Sequence, residues 1–224
     1  MENVERFAIY YLPDHLGLAA FGARWLGWDV DEGTAVPHYD VPNLAEITER
    51  PGKYGFHGTL KPPFRLAEGA SVEALHAHLA AFAARTAAFE VDGLRVAQLG
   101  RFLALVPDGP APELARFAFA CVTEFDRYRR PADAAEITRR REAGLTADQD
   151  KLLLKWGYPY VGPEFRFHLT LSGKLAPQAL ERIARAAQDV LPGLPRPFPF
   201  TSVSLVGERA DGRFQTISRY KLMG

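Results

Sequence analysis

From Arg6 to Tyr11 the chain runs through strand-forming side chains and stops at Pro13, which predicts a first strand. Asp14 is placed to cap a helix, and Leu16, Leu18, Phe21, Trp25 and Leu26 recur at helical spacing between His15 and Leu26. Asp29 to Pro51 reads as acidic and irregular, and Lys53 to Leu66 returns to strand character. Ser71 to Thr86 predicts an Ala- and Leu-rich helix with Ser71 as N-cap and Glu73 in the first turn, where a carboxylate suits the helix dipole. Phe89 to Leu99 and Phe102 to Val106 read as two strands with Gly100 at the bend. A helix from Pro112 to about Arg129 aligns Leu114, Phe117, Ala118, Cys121, Phe125 and Tyr128 in one stripe, which places Cys121 in the core. The charged span Ala132 to Lys155 reads as helical, Phe165 to Gly173 as a strand and Pro177 to Leu191 as a helix. Phe198 to Gly207 and Arg213 to Leu222 close the chain as a pair joined through Ala210-Asp211-Gly212, a strong hairpin signal.

The two halves resemble each other. Phe56-His57-Gly58-Thr59-Leu60 matches Phe167-His168-Leu169-Thr170-Leu171, and each opens a series of strand, helix, strand, strand. Arg101-Phe102 follows His57 by 44 positions, and Arg213-Phe214 follows His168 by 45. This pattern predicts one α+β domain over residues 1–224, built as two pseudo-symmetric antiparallel-sheet lobes flanked by helices. The lobes are centred on about 53–106 and about 165–222, with a helical segment of about 112–156 between them, and their sheets face a shared cleft.

Strand side chains alternate, so Phe165, Phe167, Leu169 and Leu171 point to the core while Arg166, His168, Thr170 and Ser172 point the other way. In the first motif His57, Thr59 and Lys61 share the polar face and Phe56 and Leu60 the apolar one. One His-x-Thr match is weak; two in matched flanks on matched strands are much less so. Two histidines meeting across a cleft suit phosphodiester cleavage, one imidazole taking a proton from the attacking oxygen and the other giving one to the departing oxygen. Each threonine hydroxyl can donate to a phosphate oxygen that gathers charge. Such chemistry calls for no metal and no cofactor.

These motifs resemble the two-histidine (2H) phosphoesterase superfamily. Tyr54 to Phe64, Trp156 to Val161 and Phe165 to Leu171 resemble its branch associated with bacterial phosphonate-utilisation operons, over nearly the whole chain. The resemblance implies a bilobal α+β fold, His57 and His168 as catalytic residues, and Thr59 and Thr170 as phosphate binders. It also implies a small cyclic sugar phosphate as substrate, such as the 5-phosphoribosyl 1,2-cyclic phosphate of phosphonate breakdown. A second phosphate on that substrate needs its own cations; Lys61, Arg65, Arg101, Arg166, Arg213 and the run Arg139 to Arg141 are candidates, Arg166 foremost on the His168 face. For each arginine a solvated surface role is the alternative. Trp156, Tyr158 and Tyr160 are candidates for covering a sugar or base face, with a loop-anchor or core role as the alternative, and Tyr54 is a further candidate for touching substrate.

Composition narrows the function classes. Hydrophobic residues make up 47% of the 224, enough for a sizeable core, and 27 basic side chains balance 27 acidic ones, so no overall field draws in nucleic acid or an anionic membrane. A local basic cleft is still allowed. The single Cys121 excludes a disulfide framework, and no apolar run approaches the roughly 20 residues that span a bilayer. Met1 to Arg6, with two glutamates, reads as neither a signal nor a transit peptide, so cytoplasm is the expected location. His15, His38, His76 and His78 lack zinc-ligand spacing. The leading expectation is a cyclic phosphodiesterase with a small phosphorylated substrate; the alternatives are an RNA enzyme acting on 2',3'-cyclic or 2',5' linkages, the one reading that brings in nucleic acid, and a non-catalytic binder of a phosphorylated metabolite. Nothing in the composition addresses oligomeric state.

Overall fold

The computed structural model describes residues 4–224, so Met1 to Asn3 of the opening stretch lie outside the described residues. The first half of the chain forms β1 (Phe7–Tyr11), α1 (Leu16–Leu26), the short β2 (Trp28–Asp29) and β3 (Thr34–Ala35), α2 (Leu44–Gly52), β4 (Gly58–Phe64) and α3 (Val72–Ala84). β5 (Phe89–Val91), β6 (Leu94–Leu99), β7 (Phe102–Pro107), α4 (Pro112–Glu124), α5 (Ala134–Arg141) and α6 (Ala147–Trp156) come next. The chain ends in β8 (Leu169–Thr170), α7 (Pro177–Val190), β9 (Phe198–Phe200), β10 (Ser202–Glu208) and β11 (Phe214–Lys221). The fold is α+β with antiparallel strand pairs. No helix among the described residues is long and apolar enough to cross a membrane.

Local chemistry explains most helix ends. Ser71 Oγ accepts from the Ala74 N–H at 3.1 Å and starts α3 as expected. α1 is capped by His15 Nδ1, which accepts from the Leu18 N–H at 3.1 Å, and not by Asp14. The Asp14 carboxylate is occupied elsewhere, accepting from Thr201 at 2.6 Å, Ser202 at 2.8 Å and Arg219 at 2.7 Å. The span read as irregular contains α2, whose Leu44, Thr48 and Pro51 are buried. The charged span divides into α5 and α6. Thr146 and Gln149 form a capping box on α6, and Gly157 at φ 71° ends it in a left-handed turn that sends Tyr158 toward the cleft.

Seven strands form one sheet in the order β11-β10-β1-β4-β8-β7-β6. This order corrects the expectation of two sequence-contiguous lobes. β4 already has β1 on one edge and β8 on the other, so the hairpin β6–β7 that comes after it in the chain extends the sheet beyond β8, while β10–β11, later than β8, extends it beyond β1. Each motif strand therefore lies in the half built from the other motif's hairpin. The halves join through Gly58 opposite Leu169. A side chain at Gly58 would place its Cβ 2.3 Å from the Phe167 ring, so glycine is what lets the second motif's aromatic pack beneath the first motif.

One face of the sheet carries the main core, in which Ile9, Leu105, Leu169 and Leu205 pack with Phe21 and Trp25 of α1 and with side chains of α3, α4 and α7. Cys121 is fully buried there, as expected. A smaller cluster of Ala8, Tyr10, Leu12, Trp28, Val30, Val206 and Phe214 lies apart from it. β1 is consequently buried on both faces, which explains its continuous apolar run.

Candidate active site

The pairing of Gly58 with Leu169 sets the geometry of both motifs. In an antiparallel register it places His57 opposite Thr170 and Thr59 opposite His168, all four on one face, with each histidine diagonal to the other. Two cavities sharing Phe102 open on this square: one of about 300 Å³ lined by His57, Thr170 and Tyr54, and one of about 510 Å³ lined by His168, Thr59, Arg166, Tyr158 and Tyr160. The second motif strand is shorter than expected, since regular pairing covers only Leu169–Thr170. Trp25 of α1 anchors its end, donating its indole N–H to the Leu171 carbonyl at 2.7 Å.

Both imidazoles are held the same way. His57 Nδ1 lies 2.9 Å from the Gly55 carbonyl and His168 Nδ1 lies 2.8 Å from the Arg166 carbonyl, in each case two residues upstream. A carbonyl oxygen only accepts, so each Nδ1 carries the proton and each Nε2 is left for chemistry in the neutral ring. His57 Nε2 accepts from the Thr59 hydroxyl at 3.0 Å. The phenol ring of Tyr10 stacks on the His57 ring with centroids 3.7 Å apart. Burial pushes the His57 imidazole down to about 4, against the opposing effect of its bond to Gly55, and the nearness of His168 pushes in the same direction as burial. His168 has a looser neighbour in Phe102, tilted at 59° with centroids 5.7 Å apart.

The expected cations disperse. Arg166 is exposed and lines the larger cavity. Lys61 does not reach the cleft: the register shift between Thr59 and Lys61 turns it away from the threonine's face and toward α4, where its buried ammonium donates to the Val122 carbonyl at 3.0 Å and lies 3.5 Å from Asp126. Burial lowers it to about 8, with Asp126 opposing. Arg65 pairs with Glu5 at 3.1 Å, Arg101 reaches only toward the Leu175 carbonyl at 3.5 Å, and Arg213 lies 4.5 Å over the Trp28 ring, so none of the three lines the cleft. Among the aromatics, Tyr54 stacks on Phe214 at 5.3 Å, and Tyr158 meets Tyr160 edge-on at 5.5 Å. Tyr10 and Phe102 are the residues that sequence reasoning missed. The unbroken Phe7–Tyr11 run was the signal for Tyr10, because a strand apolar on both faces must cover something on each.

Fold and site together define an α+β protein in which two His-x-Thr strands converge on one cleft. The chain belongs to the DUF1045 family, described as a protein of unknown function, whose model matches residues 59–215. It is similar to two curated proteins named ribose 1,5-bisphosphate phosphokinase PhnN. The one from Janthinobacterium sp. (strain Marseille) is 41% identical over 180 residues, covering 78% of this chain and 40% of that protein. The one from Laribacter hongkongensis (strain HLHK9) is 35% identical over 173 residues, covering 76% and 40%. The chain thus spans about 40% of the length of these relatives. Among solved structures it is similar to E. coli LigT complexed with 3'-AMP, at 16% identity and a TM-score of 0.47 over 99% of this chain and 100% of the other. A phosphoesterase crystal structure matches at 17% identity and a TM-score of 0.42 over 98% and 99%.

Proposed function

We propose that the protein is a phosphodiesterase that opens a small cyclic phosphate by paired histidine acid and base catalysis. The observation that carries this reading is the duplicated tether: each Nδ1 donates to a carbonyl two residues upstream, leaving both Nε2 atoms for proton transfer across one square of side chains. His57, held neutral, takes a proton from water as the water oxygen bonds to phosphorus. His168, protonated, gives its proton to the ring oxygen as the phosphorus–oxygen bond breaks. Thr170 donates to one non-bridging oxygen, and Thr59, whose hydroxyl donates to His57 Nε2 in the free protein, turns to the other as substrate enters; charge collects on both oxygens in the transition state. Every proton in this cycle is carried by the two histidines and water, so it runs without a metal or other cofactor.

The substrate we favour is 5-phosphoribosyl 1,2-cyclic phosphate. Water attack with cleavage of the bond to the 2-oxygen converts it into ribose 1,5-bisphosphate, the compound in the name of the longer relatives. The larger cavity, about 510 Å³ with Tyr158 and Tyr160 on its wall, suits a sugar ring. A chain of this kind acts in the cytoplasm, where such phosphorylated intermediates are kept. Phosphorus NMR with EDTA present, on this compound and separately on a nucleoside 2',3'-cyclic phosphate, tests the assignment. Conversion of the first alone is expected. Conversion of the second alone would move the protein to RNA-end chemistry, and binding without conversion would make it a sensor.

A further inference from the structure

A third cavity, of about 280 Å³, lies where β1 and β4 meet α5 and α6. Its lining carries seven cationic side chains against three carboxylates, Glu5, Glu136 and Glu208, in a chain whose formal net charge is +0. Several of the cations are already held in place: Arg6 by Glu208 at 2.5 and 2.6 Å, Arg129 by Asp126 at 2.8 and 3.2 Å, and Arg140 by Glu136 at 2.8 Å. Arg130 and Arg139 have no carboxylate partner among the described residues. A network built only for structure would match its charges; here Asp126, outside the lining, serves both Lys61 and Arg129, and even with it counted the cations exceed the carboxylates by three. That excess fits a compact, multiply charged anion, which arginines clamp in bidentate fashion and which pre-positioned arginines bind with little added ordering.

We propose that this cavity binds a second, non-reacting phosphate monoester of the substrate; the assignment rests on the cleft being the site of cyclic phosphate opening. The two places are neighbours. Pro62 lines both this cavity and the larger flank of the cleft, and the guanidinium of Arg140 lies 5.5 Å over the ring of Tyr158, which faces that flank. Tyr10 bridges them further: its ring stacks on His57, and its phenol, fully buried without a hydrogen-bond partner among the described residues, sits in the field of Arg6 and Glu208 from the cavity lining. The substrate class is then a cyclic phosphate with a terminal phosphate on the same small scaffold.

The test is the ratio of kcat/KM for 5-phosphoribosyl 1,2-cyclic phosphate to that for ribose 1,2-cyclic phosphate, in the parent and in an Arg130→Ala/Arg139→Ala variant. Both arginines are exposed, so the variant keeps its core. The ratio is expected to fall by roughly 10- to 100-fold, the size of lost charged hydrogen bonds. An unaltered ratio overturns the proposal. Should the parent turn over neither compound, the reading of the cleft fails, and calorimetric titration with inorganic phosphate decides for the cavity alone. Binding by the parent that weakens at least about tenfold in the variant supports an anion site there, and equal or absent binding overturns it.

Discussion

The two His-x-Thr strands carry the same motif but have different neighbours, which give their imidazoles different surroundings. β4 lies against β1, a strand with no counterpart between β8 and β7, which pair directly. β1 brings Tyr10 flat onto the part-buried His57, whose imidazole desolvation pushes down to about 4, while β7 brings only the tilted ring of Phe102 to His168. In the proposed mechanism, this difference is why His57 serves as the base and His168 as the acid. The asymmetry comes from one inserted strand, not from the motif.

The largest expected effect is loss of either histidine. His57→Ala and His168→Ala should each lower turnover by roughly 10²–10⁴-fold with the circular dichroism spectrum unaltered. A substrate with a nitrophenolate leaving group separates them, because such a group departs without a proton. That substrate should restore much of the His168→Ala loss and little of the His57→Ala loss; equal restoration would erase the distinction between the strands. Thr59→Val and Thr170→Val should each cost about 10²-fold in kcat, with Thr59→Val also removing the hydroxyl bonded to His57 Nε2 at 3.0 Å.

How much of this was legible in the chain depends on how local the cause was. Ser71 as a cap, Cys121 in the core and the Asp-Gly hairpin follow from neighbours in sequence, and the structure shows them. The strand exchange between halves could not be read from the equal 44 and 45 offsets, because offsets fix the order of elements and not their partners. Phe102, from the first series, ends beside His168 of the second, and Phe214, from the second, lies near Tyr54 and Tyr10 on the His57 side. Alternation placed His57, Thr59, His168 and Thr170 together on one face but misplaced Lys61, since a β-bulge reverses the facing of every residue beyond it.

Acidity sharpens the comparison next. The neutral form of His57 is present above about pH 4 and lost below it, so the acid limb of kcat/KM from this base should fall near pH 4 and not near 6.5. Tyr10→Leu opens the ring to solvent and should move that limb upward. A limb already near 6.5 in the parent would mean that β1 does not desolvate its histidine. Gly58→Ala acts on the join itself: the new methyl would stand 2.3 Å from the Phe167 ring. Overpacking of this kind costs about 1–3 kcal/mol, or several degrees in Tm, and calorimetry should register it. An unaltered Tm would show that the halves are not in contact there.

The smallest effect concerns the positions four residues beyond each histidine. Ser172 lies at the edge of the His57 cavity, but its hydroxyl is taken up by the scaffold, accepting from the Leu103 N–H at 3.0 Å and donating to the Gly173 carbonyl at 2.9 Å, and the Lys61 ammonium is likewise taken up by Val122 and Asp126. The Lys61 ammonium releases its proton at about pH 8 in the folded chain against 10.5 as its ordinary value. Between these values the unfolded chain holds a proton that the folded one has given up, so rising pH stabilises the fold through this group. Lys61→Met keeps the stem and removes the titration. The buried Cys121 thiol, pushed up by desolvation and drawn down by Lys61, works in the opposite direction, so both proteins are compared in a Cys121→Ala background. The parent's unfolding free energy in urea, less the variant's, should therefore grow between about pH 8 and about pH 10.5. A flat difference would mean that folding does not shift the Lys61 ammonium, and so that it is not desolvated against α4.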